Sequence, residues 1–138
     1  MKKGFERLEI GEAFSPITKR ITQETINRYA DASSDYNPIH VDEAFAKETP
    51  FKGTIAHGLM SVAFISELMT REFSQGWFTG GKVDMRFRAP IRPGDTITIK
   101  GKVTERSSEE GKNLVVCDLV CENQKGDAVI VATTWARC

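Results

Sequence analysis

What this sequence lacks narrows the field first. It has no excess of either charge: Lys+Arg and Asp+Glu number 19 each. That argues against general nucleic-acid binding, which usually needs a basic face. One small anionic ligand stays open, because a few local Lys or Arg serve for that. No run of about 18 apolar residues occurs, so no transmembrane helix is expected. Met1-Lys2-Lys3-Gly4-Phe5-Glu6-Arg7 leads into no apolar segment, so no leader peptide is expected. Cysteines are few and odd in number, three in 138 residues. Cys117 and Cys121 fall in an expected strand, where a rise of about 3.3 Å per residue sets them about 13 Å apart. That is too far for a disulfide, and without a second ligand cluster it is poor spacing for zinc. All three are expected as thiols in a cytoplasmic protein. There is no internal repeat, low-complexity tract or linker, so residues 1–138 read as one domain.

What is present divides into early helices and late strands. Residues 1–12 are polar and mixed, with Gly4 and Gly11 as breaks. Residues 13–21 read as an edge strand, since Pro16 cannot donate to a ladder. Thr22 reads as an N-cap completed into a capping box by Glu24. Ile26, Tyr29 and Ala30 then share one face of a short helix over 23–32. Asn37-Pro38 is a turn signal, and a second short helix over 42–47 is expected behind Asp42. From His57 to Glu72, Leu59, Met60, Val62, Ala63, Phe64, Ile65, Leu68 and Met69 cover nearly the whole circumference of a helix, which is therefore expected to be buried all round. Four strands should follow over 77–88, 96–103, 113–122 and 128–135. Pro90, Pro93-Gly94-Asp95, Glu110-Gly111 and Lys125-Gly126-Asp127 separate them, the last as a tight hairpin. The class is α+β: one long helix wrapped by an antiparallel sheet of about five strands. So small a sheet leaves edges and apolar surface, which predicts a symmetric dimer.

The chemistry-bearing residues cluster in Asp35-Tyr36-Asn37-Pro38-Ile39-His40 and Ala56-His57-Gly58. A carboxylate and an imidazole are the minimum kit for moving a proton near neutral pH. Pro38 stops a helix between them, so the chain can bend both toward one point. The plainer reading has Asp35 capping an Asx turn with Asn37 and His40 merely semi-buried. On spacing alone the two readings weigh about evenly. Gly58 at a helix start offers a backbone N–H suited to an oxyanion, although most such glycines do no chemistry. His57 alone is more often structural. Ser66 on the helix more often bonds the carbonyl four residues back than acts. Neither Ser61 nor Ser66 sits in a Gly-x-Ser-x-Gly elbow, which speaks against a nucleophilic serine.

Residues 29–40, Phe51-Lys52-Gly53-Thr54-Ile55-Ala56-His57-Gly58-Leu59-Met60 and Phe87-Arg88-Ala89-Pro90-Ile91-Arg92-Pro93-Gly94-Asp95 together resemble the MaoC-like, (R)-specific enoyl-CoA hydratase family, across residues 12–135. One departure is Ser34, where that family usually has glycine. The resemblance implies a hot-dog fold, dimeric by sheet extension. It implies hydration of a trans-2-enoyl thioester to the (R)-3-hydroxyacyl thioester, with no metal and no cofactor. Carried over by motif, Asp35 and His40 would activate water, Gly58 N–H would polarise the thioester carbonyl, Asn37 would shape the loop, and Ser66 would support the pair. The implied partner is an acyl-CoA substrate, or an acyl carrier protein, and the implied assembly a homodimer or dimer of dimers. Lys82, Arg86, Arg88 and Arg92 are candidates for phosphate contacts, against the blander reading of a solvated strand face. Two alternatives remain: an acyl-CoA thioesterase, and a non-catalytic acyl-thioester-binding subunit, which would be expected to lack the Asp/His pair.

Overall fold

The structure, a computed structural model, describes residues 4–138. The expectation of no leader rests partly on residues 1–3, which lie outside the described residues. A 3₁₀ turn at Phe5–Arg7 precedes β1 (Ile17–Arg20). Helices α1 (Gln23–Ser33), α2 (Pro38–Val41), α3 (Glu43–Lys47), α4 (Gly58–Phe73) and α5 (Gln75–Gly80) come next. Strands β2 (Lys82–Phe87), β3 (Thr96–Glu109), β4 (Lys112–Glu122) and β5 (Ala128–Arg137) finish the chain. The five strands form one antiparallel sheet in the order β1-β3-β4-β5-β2. The expected α+β class with one long helix is what the chain builds.

Alternation decides which sheet face is buried. Ile97, Ile99 and Val103 on β3 are buried together with Val115, Cys117, Leu119 and Cys121 on β4 and Val129, Ala132 and Ala136 on β5. Against this layer α4 lays Ile65, Leu68, Met69 and Phe73, all at most 2% exposed. Burying one such side chain contributes roughly 1.5–3 kcal/mol. The other side of α4 is not covered within the chain, contrary to the expectation of burial all round. Leu59 is 68% exposed and Ala63 is exposed too. The reason is geometric: five strands cover one side of a helix, and the N-terminal helices leave the opposite stripe open.

Several local expectations are corrected. The polar-looking N-terminus sends Leu8 into the core and sets the Phe5 ring 4.6 Å from the Arg106 guanidinium. The capping box on α1 is closed by Thr25, not Glu24, because Thr25 occupies the third helical position. Residues 77–80, the end of α5, are helical where strand was expected. Gly76 lies against the end of β5 so closely that a Cβ there would come within 1.8 Å of the Arg137 carbonyl oxygen. Tertiary packing therefore sets this turn, overriding weak local propensity. Glu110 and Gly111, with φ of 50° and 74°, make the two-residue β3–β4 hairpin. The β4–β5 connection is looser than a tight Gly-Asp turn. The Asn123 side chain accepts from the N–H groups of Lys125 and Asp127 at 3.0 and 3.1 Å.

The cysteines are thiols, as expected, and Cys117 and Cys121 are buried. Burial pushes both up to about 12, from an ordinary value of 9.0. The folded state thus keeps protons that the unfolded state releases. Stability from this source is full below pH 9 and falls as pH rises toward 12. A thiol reagent applied to native protein at pH 8 should label Cys138 well before either strand cysteine, and the denaturation midpoint should fall above pH 9. Equal labelling of all three thiols in the native state would contradict this packing.

Candidate active site

The site is assembled where α1 ends and α4 begins. Ser34 caps α1 in the left-handed conformation, with φ of 59°. This explains why glycine suits that position, and serine accepts a modest conformational cost there. The chain then turns through two short caps. The Asp35 carboxylate accepts from Asn37 N–H at 3.2 Å, and the Asn37 side-chain oxygen accepts from Ile39 N–H at 3.1 Å. Pro38 fills the first position of α2, where its missing N–H costs nothing. The Asx turn is therefore real, but it does not compete with a chemical role, since the same turn sets His40 one helical step inward.

His40 is fixed from both ends. Its backbone carbonyl accepts from Gln23 Nε2 at 2.8 Å, and Gln23 Oε1 in turn accepts from the buried Thr54 hydroxyl at 2.6 Å. Its Nδ1 lies 2.8 Å from the Ile55 carbonyl oxygen. A carbonyl can only accept, so Nδ1 carries a proton, and in the neutral ring the lone pair is on Nε2. His57, buried at 2% exposure, stacks on His40 with ring centroids 3.9 Å apart. Its Nε2–H donates to the Asp35 backbone carbonyl at 2.9 Å.

Asp35, His40 and His57 bring one carboxylate oxygen and two ring nitrogens within 4.8 Å of one another. Two imidazoles and a carboxylate are also a recognised donor set for a divalent metal, although no metal was expected. One nitrogen of each imidazole is already committed to a backbone carbonyl. The remaining His40 nitrogen and the Asp35 carboxylate suit a held water equally well.

Beside the imidazoles opens a cavity of about 370 Å³, lined by His40, His57, Gly58, Phe51, Phe87 and Arg88 among others. Gly58 is the first residue of α4, where a backbone N–H has no partner within the helix. A Cβ on Gly58 would come 3.0 Å from the Phe87 ring, so a side chain would crowd the cavity wall. Asp35 is exposed and stands outside the lining. A larger concavity of about 660 Å³ lies on the outer sheet face among Asp84, Arg86, Lys100, Lys102 and Asp118. It has no imidazole and reads as a solvated charged face, which is where Arg86 belongs. Lys82 lies 4.6 Å from the Trp135 ring. Of the expected cations, Arg88 alone lines the smaller cavity.

The structure thus groups Asp35, His40 and Gly58, with Asn37 shaping the loop. Ser66 is elsewhere: its hydroxyl accepts from Trp77 Nε1 at 2.8 Å rather than reaching the pair or a carbonyl one turn back. His57 is the residue that sequence reasoning undervalued. A signal existed, since the chain has only two histidines and each sits in one of the two chemistry-bearing stretches.

A long helix laid on a curled five-stranded antiparallel sheet is the hot-dog fold. The profile of the MaoC like domain matches residues 6–124, and the chain belongs to that family of hydratases and dehydratases. The chain is 33% identical over 127 residues to the 3-hydroxybutyryl-CoA dehydratase of Methylorubrum extorquens, covering 92% of this chain and 78% of that protein. It is 37% identical over 100 residues to the (R)-specific enoyl-CoA hydratase of Rhodospirillum rubrum, covering 72% and 69%. The unliganded R-hydratase of Pseudomonas aeruginosa superposes with a TM-score of 0.80 at 30% identity, over 96% of this chain and 83% of that one.

Ser66→Ala would strip the Trp77 indole of its acceptor, a loss of about 1 kcal/mol for one hydrogen bond. Denaturant unfolding should show that loss with a shift in tryptophan emission, and the His40 ring signals in an NMR spectrum should stay in place. Movement of the His40 signals would link Ser66 to the pair after all.

Proposed function

We propose that this protein hydrates trans-2-enoyl-CoA to (R)-3-hydroxyacyl-CoA, and runs the reverse dehydration, with Asp35 and His40 as the acid–base pair. The observation that carries this is the committed Nδ1 of His40, which leaves Nε2 as a base beside a carboxylate at the mouth of an apolar cavity. Water held between Asp35 and His40 attacks C3 of the enoyl group and gives its proton to the pair. The C2=C3 electrons move into the thioester, and the negative charge on its oxygen meets the Gly58 N–H. The positive end of α4 adds to that stabilisation. The pair then returns a proton to C2, so atoms and charge balance with no redox step. Phe51 and Phe87 would flank the acyl chain, and Arg88 would face the CoA phosphates.

A second copy completes the assembly in this reading. β2 is an edge strand that ends in Phe87, and Phe87, Leu59 and Phe78 are 58%, 68% and 64% exposed. Sheet extension through β2 would cover them. An acyl carrier protein could replace CoA as the carrier without altering the chemistry at C2 and C3.

With crotonyl-CoA, the purified protein should remove the enoyl absorbance without releasing thiol, and should do so after treatment with a chelator. Asp35→Asn and His40→Gln should each lower kcat by at least about a hundredfold, the usual scale for a general acid or base, with unchanged melting temperature. Release of free thiol would instead indicate a thioesterase, and full activity in both variants would remove the pair from the mechanism.

A further inference from the structure

The second imidazole takes no part in the proposed reaction, yet it is more deeply buried than the first. His57 is 2% exposed, whereas His40 is partly exposed. Its ring stacks on His40 at 3.9 Å with a 27° tilt, and the Tyr29 ring lies 4.8 Å away. Its Nε2–H holds the Asp35 carbonyl at 2.9 Å. It is also the residue immediately before Gly58, at the cap of α4. One residue therefore bonds the backbone of Asp35, stacks on the His40 ring and immediately precedes the helix whose first residue lines the cavity.

We propose that His57 is a positioning residue that sets the separation between the Asp35/His40 pair and the Gly58 N–H. This rests on the reaction proposed above, in which water is delivered to C3 on one side while the thioester oxygen is held on the other. Those two ends belong to segments far apart in sequence, and His57 spans them. Packing alone does not account for it. Its Nδ1 is buried without a hydrogen-bond partner, a destabilising arrangement that an apolar ring would avoid. A donor at Nε2 combined with a flat ring is what this place uses.

The test separates tether from packing. His57→Phe keeps a ring and removes both the donor and the orphan nitrogen. His57→Gln keeps a donor near the Nε2 position and removes the ring. Displacement of reacting groups by a fraction of an ångström is costly, so the Phe variant should lose about tenfold or more in kcat with KM little changed. Its melting temperature should not fall, and the Gln variant should recover part of the kcat. Amide hydrogen exchange should quicken at residues 34–37 in the Phe variant while the sheet keeps its protection. If the Phe variant does not fold, His57→Asn takes its place, since its amide ends near the Nδ1 position and does not reach Asp35. Wild-type kcat, or unchanged exchange over 34–37, in the donor-less variant would overturn the proposal. If the wild-type protein itself shows no turnover, the proposed reaction fails, and the exchange measurement still decides the tether.

Discussion

The hydrogen bond from His40 Nδ1–H to the Ile55 carbonyl is the constraint on which the site depends. It fixes the tautomer and aims the ring, and it joins α2 to the segment that runs into α4. A second bond strengthens the same seam, from Ile55 N–H to the Ile39 carbonyl at 3.2 Å. The Gln23 amide ties that seam to α1 by bonding both His40 and Thr54. Three separate stretches are thereby held to one geometry by hydrogen bonds, where apolar packing alone would allow sliding. Sites built this way keep their acid–base groups pre-aimed, which is where most of a general acid–base advantage lies.

The sheet supplies the other half. It buries one face of α4 and so anchors the helix whose first residue, Gly58, lines the cavity. The opposite stripe of α4, with Leu59 and Ala63, lies open in the single chain, and β2 is a sheet edge. An exposed apolar stripe and an open sheet edge are each usual marks of an interface. The cavity wall at Phe87 lies on that edge, so in the proposed assembly association and substrate binding would draw on the same residue.

Much of the fold was legible because period-two alternation is strong in β3, β4 and β5, and because Thr22, Asn37 and Gly94 carry unambiguous turn and cap chemistry. Residues 75–80 were not legible, since their helical turn is imposed by contact with Arg137, far along the chain. The burial of α4 was overstated for a related reason: composition reports how apolar a helix is, not how much partner surface one chain can offer it. At the site, Asp35, His40, Asn37 and Gly58 could be picked out by residue type and spacing. Ser34 was readable only as a departure from a pattern, and its left-handed backbone supplies the physical reason. The bond between Ser66 and Trp77 depends on α5 being helical, so it shared that blind spot. His57 looked structural because a single histidine in sequence shows neither its stack nor its reach to Asp35.

The most direct test is a crystal structure of the Asp35→Asn variant soaked with crotonyl-CoA. The account predicts the thioester oxygen within hydrogen-bond distance of Gly58 N, C3 facing His40 Nε2, and the acyl tail between Phe51 and Phe87. A thioester bound on the outer sheet face, or one in the cavity with its carbonyl turned away from Gly58, would contradict it.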